Sequence, residues 1–197
     1  MIGQPTMMAS PLEDRRRALE ESFFSKKNKQ LLDALREEIS QADRKQALSA
    51  AVQIDDEGTL DLLIQADITV ESLLAFKLLP LVEVAWADAT IAQPEREAIL
   101  AAAESKGIRP SDVAYQLLQN WLAEPLTEEV KAAWRAYASG LAESLGAERC
   151  AAIRAEVLGK AREVAQSAGG ILGIGNKISS VEEQVIAELE QAFGHSG

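Results

Sequence analysis

A glycine-rich segment near the end of the chain, GGILGIGNKISSVEE at residues 169–183, has residue types that can bind phosphate. Two of its glycines have the spacing of a nucleotide-binding loop, but an asparagine intervenes before Lys177 and an isoleucine follows it. Such a loop also follows a strand, whereas the residues upstream have a helical pattern. We therefore predict a connection between two helices, in which Ser179 and Glu182 form a capping box at the start of the second.

Acidic residues could supply oxygen ligands to a hard divalent cation. Four of them lie close in sequence, and a fifth, Glu182, would come from a separate segment; the four are Glu83, Asp88, Glu95 and Glu97. Calcium takes roughly six to eight oxygens, and the chain lacks the D-x-[DN]-x-[DN]-G calcium loop. The alternative is a solvated acidic face whose carboxylates complement helix starts.

Zinc chemistry and nucleophilic catalysis have little support in the residue types. The chain has one cysteine, Cys150, and one histidine, His195, whereas zinc is held mainly by several such residues. There is no G-x-S-x-G nucleophile motif. We therefore predict no catalytic residue and no enzymatic activity, and we predict that Cys150 is a small core residue in a reducing compartment.

The first fifty residues contain a separate candidate binding surface. Arg15, Arg16 and Arg17 precede Phe23 and Phe24, so that a helix here would be partly basic and amphipathic, as in segments that bind membranes or partner proteins. The alternative is that the arginines lie on a solvated face, paired with neighbouring acids.

The composition excludes several classes of protein. The chain has 197 residues, of which 47% are hydrophobic and 26% charged, as in soluble globular proteins. Its net charge of -11 argues against nucleic-acid binding. The charge is +1 over residues 1–50 and -12 over the remainder. No signal peptide is visible, and the longest apolar stretch, residues 73–87, is too short to span a membrane. We expect a cytoplasmic location.

The elements that must position these residues are predicted to be helices. Apolar residues recur every three or four positions and do not alternate, which predicts an all-α multi-helix bundle. We expect residues 1–50 to form a helical arm with about ten disordered residues at its start, residues 51–69 a connecting short helix, and residues 70–197 the main domain. Residues 73–87 are apolar nearly all round, which predicts a buried central helix, kinked at Pro80.

Two segments of the main domain align without gaps, TIAQPEREAI at residues 90–99 and KISSVEEQVI at residues 177–186. Each places an isoleucine before a helix start, a glutamate in the first turn and an isoleucine four residues later. Glu95 and Glu182 therefore occupy equivalent positions, which indicates a weak internal duplication. Stability alone can explain the glutamates, because a carboxylate in a first turn complements the helix dipole.

Residues 78–108 resemble the first half of the TerB family, named for tellurite resistance, and residues 170–193 resemble its closing half. The family's pattern is an apolar helix, Ala-Asp-Gly, a short turn, a glutamate and a second apolar helix. The resemblance covers residues 70–197 and implies an all-helical cytoplasmic domain with pseudo-repeated halves. It also implies a divalent-cation site, for calcium or magnesium, whose acids here are Asp88, Glu95 and Glu182.

The chain departs from that pattern at two places. Ala89 stands where the family usually has glycine, and if this position has a positive φ, alanine costs about 1–2 kcal/mol. In the second half, Gly175 and Asn176 stand where an aspartate would strengthen a metal site. Both departures weaken the implied metal site.

Two functions follow from the sequence. We expect a non-enzymatic binding or scaffold module of a stress-response system related to tellurite resistance, with protein partners and no nucleic acid. The alternative is a peripheral membrane or assembly factor that acts through the N-terminal arm, which flotation of a fragment of residues 1–45 with anionic vesicles would distinguish. The sequence leaves the oligomeric state open.

Overall fold

The computed structural model describes residues 39–169 and 178–194. Every regular element in these two ranges is a helix, which confirms the predicted all-α fold class. The chain divides into two compact units, Met1–Asp43 and Arg44–Gly197. Of the first unit only residues 39–43 are described, and they are helical.

The second unit contains nine helices among its described residues. They are α1 (39–52, of which 44–52 belong to this unit), α2 (Glu57–Gln65), α3 (Leu73–Lys77), α4 (Leu79–Ala85), α5 (Gln93–Ser105), α6 (Val113–Ala123), α7 (Glu128–Leu145), α8 (Ala147–Gly169) and α9 (Ser180–Ala192).

Residues 51–69, predicted as a connection, lie inside this unit. α2 packs along α7, and Leu60 and Leu63 are buried in the common core, as is Leu48 in α1. Burying each such side chain contributes about 1.5–3 kcal/mol, which favours packing of both helices into this unit.

The apolar segment 73–87 forms two helices where one kinked helix was predicted. α3 ends at Lys77 and α4 begins at Leu79, so that Pro80 lies in the first turn of α4, where its missing N–H removes no intrahelical hydrogen bond. All seven residues of α4 are buried, as predicted for the central helix. α4 packs against α3, α5, α8 and α9.

The ends of the later helices follow the signals in the sequence. The Thr127 side chain accepts a hydrogen bond from the Val130 amide at the start of α7, and Ser179 Oγ accepts one from the Glu182 amide at 3.2 Å. Gly107 follows α5 with a φ of 81°, which an L side chain rarely adopts. The predicted capping box at Ser179 is therefore confirmed.

Aromatic side chains fill the core where α3, α7 and α9 meet. The ring of Trp134 lies edge-on to Phe193, with centroids 5.6 Å apart, and Tyr137 lies edge-on to Phe76 at 5.7 Å. Cys150 is buried in α8, as predicted for a small core residue.

Candidate functional site

The two glutamates that align in the sequence meet in the structure. Glu95 and Glu182 each occupy the third position of a helix and reach back to its N-cap: the Ala92 amide donates to Glu95 Oε2 at 2.8 Å, and the Ser179 amide donates to Glu182 Oε2 at 2.6 Å. Ala92 has no side-chain acceptor, so only α9 has the complete capping box. The Glu182 carboxyl lies close enough to Glu95 to raise its pKa through its charge and a side-chain hydrogen bond.

This carboxyl pair is shielded from water. Glu95 is 4% exposed and Glu182 is 8% exposed, and neither forms an ion pair with a described lysine or arginine. Burial raises the pKa of Glu95 to about 7; the Ala92 amide opposes the rise, and the carboxylates of Glu182 and Asp88 add to it. Glu95 therefore keeps its proton up to about neutral pH.

Asp88 lies in the exposed turn before α5. Its Oδ1 accepts hydrogen bonds from the Thr90 amide at 3.1 Å and from the Thr90 hydroxyl at 3.2 Å. Asp88 acts on Glu95 through its charge, while its side chain is engaged in the local turn. Of the other acids considered, Glu97 bonds Gln93 at the surface and Glu83 pairs with Arg135.

These residues do not fit a resident calcium or magnesium ion. Calcium needs roughly six to eight oxygens, and magnesium keeps several waters, whereas Glu95 and Glu182 are nearly dry and each already accepts a backbone hydrogen bond. Within residues 39–169 and 178–194, no three acidic, histidine or cysteine side chains are placed to hold a metal. The cation site at Asp88, Glu95 and Glu182 is therefore an expectation from the TerB resemblance that these donors do not support.

Ala89 has a φ of 68°, which is the condition under which the sequence predicted strain. We expect Ala89→Gly to raise the free energy of unfolding by about 0.5–1 kcal/mol, because relief of the left-handed conformation exceeds the added entropy of the unfolded chain. Urea unfolding measures this. Ala87→Gly is the matched control, since Ala87 has no positive φ, and it should destabilise; a stabilising Ala87→Gly would contradict this explanation.

Other predicted features lie outside the described residues. They are the disordered first ten residues, the basic and aromatic surface at Arg15, Arg16, Arg17, Phe23 and Phe24, and most of the glycine-rich segment, from 170 to 177.

A cavity of about 390 Å³ lies in the helical body, within the usual size range of small-molecule sites. Its walls are mainly apolar and come from α3, α4, α7, α8 and the end of α9. They include Leu78, Leu81, Trp134, Leu141, Val157 and Phe193. Sequence reasoning missed this apolar cavity, because its walls come from five separate elements and each residue has the pattern of an ordinary core position.

The polar groups of the apolar cavity are mostly hydrogen-bond donors. Lys77, Lys106 and Lys160 line it, and all three are exposed, so they lie where it meets solvent. Tyr137 lines it too, and burial raises the pKa of its phenol to about 12, which keeps the hydroxyl protonated. The cavity is therefore an apolar cleft that opens to solvent beside three lysines and Glu156.

Among the described helices, none is both long enough and apolar enough to cross a membrane. In comparisons with known proteins, no family model matches this chain, and neither a curated protein nor a solved structure gives a significant match.

Proposed function

We propose that the protein is a non-enzymatic binding module, TerB-like in build, that holds a small apolar ligand in the apolar cavity. The resemblance at residues 78–108 and 170–193 supports a cytoplasmic role in a stress response related to tellurite resistance. It also supports protein partners, which would bind the ligand-bound form of this protein.

The apolar cavity is the observation that carries this proposal. Small-molecule sites are typically mainly apolar clefts of about 300–1,000 Å³ with a few polar groups. The apolar cavity has this form: its volume is about 390 Å³, it is open to solvent, and leucine, valine, tryptophan and phenylalanine side chains wall it.

The chemistry of the cavity lining supports binding rather than catalysis. The lining contains no serine, cysteine or histidine that could act as a nucleophile or base. Its acid, Glu156, is ion-paired to Lys106 at 2.7 Å. The phenol of Tyr137, with its pKa near 12, is poorly matched to proton transfer at neutral pH.

The proposal predicts saturable binding of a neutral apolar probe. N-phenyl-1-naphthylamine, whose emission rises when it leaves water, should bind the full-length protein with one-site stoichiometry and raise its melting temperature by mass action. Val157→Phe fills the cavity and should weaken binding at least about tenfold. Val181→Phe is the matched control, because Val181 is 46% exposed and outside the cavity lining, and it should bind like wild type.

Ile153→Phe, also in the lining, provides a second test if Val157→Phe does not fold. Equal binding by the filled and control variants would show that the probe sits elsewhere, and absence of binding by the wild type would overturn the proposed function.

A further inference from the structure

Three lysines and one acid, Glu156, line the apolar cavity, although the body is acidic. The lysines come from three different elements: Lys77 ends α3, Lys106 follows α5 and Lys160 lies in α8. The lining therefore carries more positive than negative charge, within residues 51–197 whose charge is -12, which favours an anion at the opening.

The three lysines differ in what already neutralises them. Lys106 pairs with Glu156, and Lys160 pairs with Glu163 through side chains that are 48% and 64% exposed. Lys77 forms no ion pair or hydrogen bond with another described residue. Lys77 is therefore the one lysine at the opening whose charge has no described partner, and a ligand with a single negative charge would match it.

The indole nitrogen of Trp134 is not one of the donors that a ligand can reach. Trp134 is 1% exposed, and its Nε1–H is covered by protein atoms, without a hydrogen-bond partner among the described residues. The donors within reach of a ligand are therefore the lysine ammonium groups at the opening, and these can only donate, so the opening is complementary to a ligand that brings acceptor oxygens.

We infer that the apolar cavity binds a fatty-acid carboxylate, with its hydrocarbon tail among the leucine and valine side chains and its carboxylate at the lysine-lined opening. This inference rests on the proposed function and adds the class of ligand. A monocarboxylate matches the one lysine without a described partner, whereas a dianionic phosphate is better matched by several free cations or by arginine.

The experiment compares four ligands that share a twelve-carbon chain and differ in the head, namely dodecanoate, dodecanol, dodecyl phosphate and dodecyltrimethylammonium. Isothermal titration of the full-length protein should show dodecanoate binding about fivefold more tightly than dodecanol, with the ammonium compound weakest. Added salt should reduce the advantage of dodecanoate, because the lysines are exposed. Lys77→Met should remove most of it, and Lys131→Met, whose lysine pairs with Glu128 outside the cavity, should not.

A ligand that carries bromine at the end of its hydrocarbon tail shows where the tail binds. We expect 12-bromododecanoate to quench the emission of Trp134, and Trp134→Phe to abolish this saturable quenching while the protein still binds. Quenching that persists in Trp134→Phe would put the tail in contact with another tryptophan and overturn the inference.

The outcomes distinguish failure of the fatty-acid assignment from failure of the proposed function. Equal binding of dodecanol and dodecanoate, or tighter binding of dodecyl phosphate or the ammonium compound, would overturn the carboxylate assignment and leave the proposed function standing. If neither dodecanoate nor N-phenyl-1-naphthylamine binds, both fail.

Discussion

Glu95→Gln should make the protein more stable at pH 8, by as much as about 3 kcal/mol, and should change its stability little at pH 4.5. The pKa of Glu95 is about 7 in the folded protein, against an ordinary value of 4.5. As pH rises from 4.5 to 7, the unfolded chain releases this proton while the folded protein retains it. The free energy of unfolding therefore falls across this window, and above pH 7 the folded state carries a buried charge.

Glutamine removes the ionisation and keeps the local hydrogen bonds. Its carbonyl oxygen can accept from the Ala92 amide, as Glu95 Oε2 does at 2.8 Å. Its amide can donate to Glu182, as the protonated carboxyl does. Between pH 4.5 and 7 the wild type loses stability because of Glu95. The glutamine variant should not show this loss.

Urea unfolding at half-unit intervals from pH 4.5 to 8.5 measures the difference. Glu97→Gln is the control on the same helix, because Glu97 is exposed, and its curve should follow that of wild type. If Glu95→Gln and wild type lose stability equally between pH 5 and pH 8, burial does not hold the proton on Glu95, and the explanation is wrong.

The sequence predicted that Glu95 and Glu182 are equivalent, and it could not predict that both are buried. The alignment of residues 90–99 with 177–186 put the two glutamates at the same position of two helix starts, because capping depends on local sequence, and the TerB resemblance implied that they share one site. Their burial depends on how α5 and α9 each pack against α4 and α8. The buried carboxyl pair is therefore a property of the tertiary fold.

The backbone conformation was also predictable at positions where a single residue type determines it. Ala89 has the positive φ that was the stated condition for strain at this position, and Pro80 interrupts the apolar segment, where a kink was predicted. The interruption is a new helix start rather than a kink, because proline is better accommodated in a first turn than in a helix interior.

The apolar cavity could not be predicted from the sequence for a related reason. Lys77, Lys106 and Lys160 are far apart in the chain, and each on its own has the pattern of a solvated surface residue. A core-forming leucine and a cavity-lining leucine also have the same helical spacing. Only the packing of α3, α7 and α8 shows that the walls leave a space and that the three lysines share its opening.

Arg135→Met should lower the free energy of unfolding by about 3 kcal/mol, since it leaves Glu83 buried without its partner. Glu83 is 7% exposed in the central helix α4, its Oε1 is 2.7 Å from an Arg135 guanidinium nitrogen, and its Oε2 has no hydrogen-bond partner among the described residues. Breaking a buried ion pair from one side typically costs about 3–5 kcal/mol. We expect the lower end of this range because the Arg135 side chain is 34% exposed and water can enter when it is shortened.

A double-mutant cycle distinguishes this buried-charge penalty from lost packing. Glu83→Leu combined with Arg135→Met should recover most of the lost stability, because the apolar pair leaves no charge in the interior. Lys131→Met, one turn earlier on α7, removes the surface pair with Glu128 and should change stability by less than about 0.5 kcal/mol. If the double variant is as unstable as Arg135→Met alone, the loss comes from the packing of the arginine stem, and the pair contributes little to holding α4 against α7.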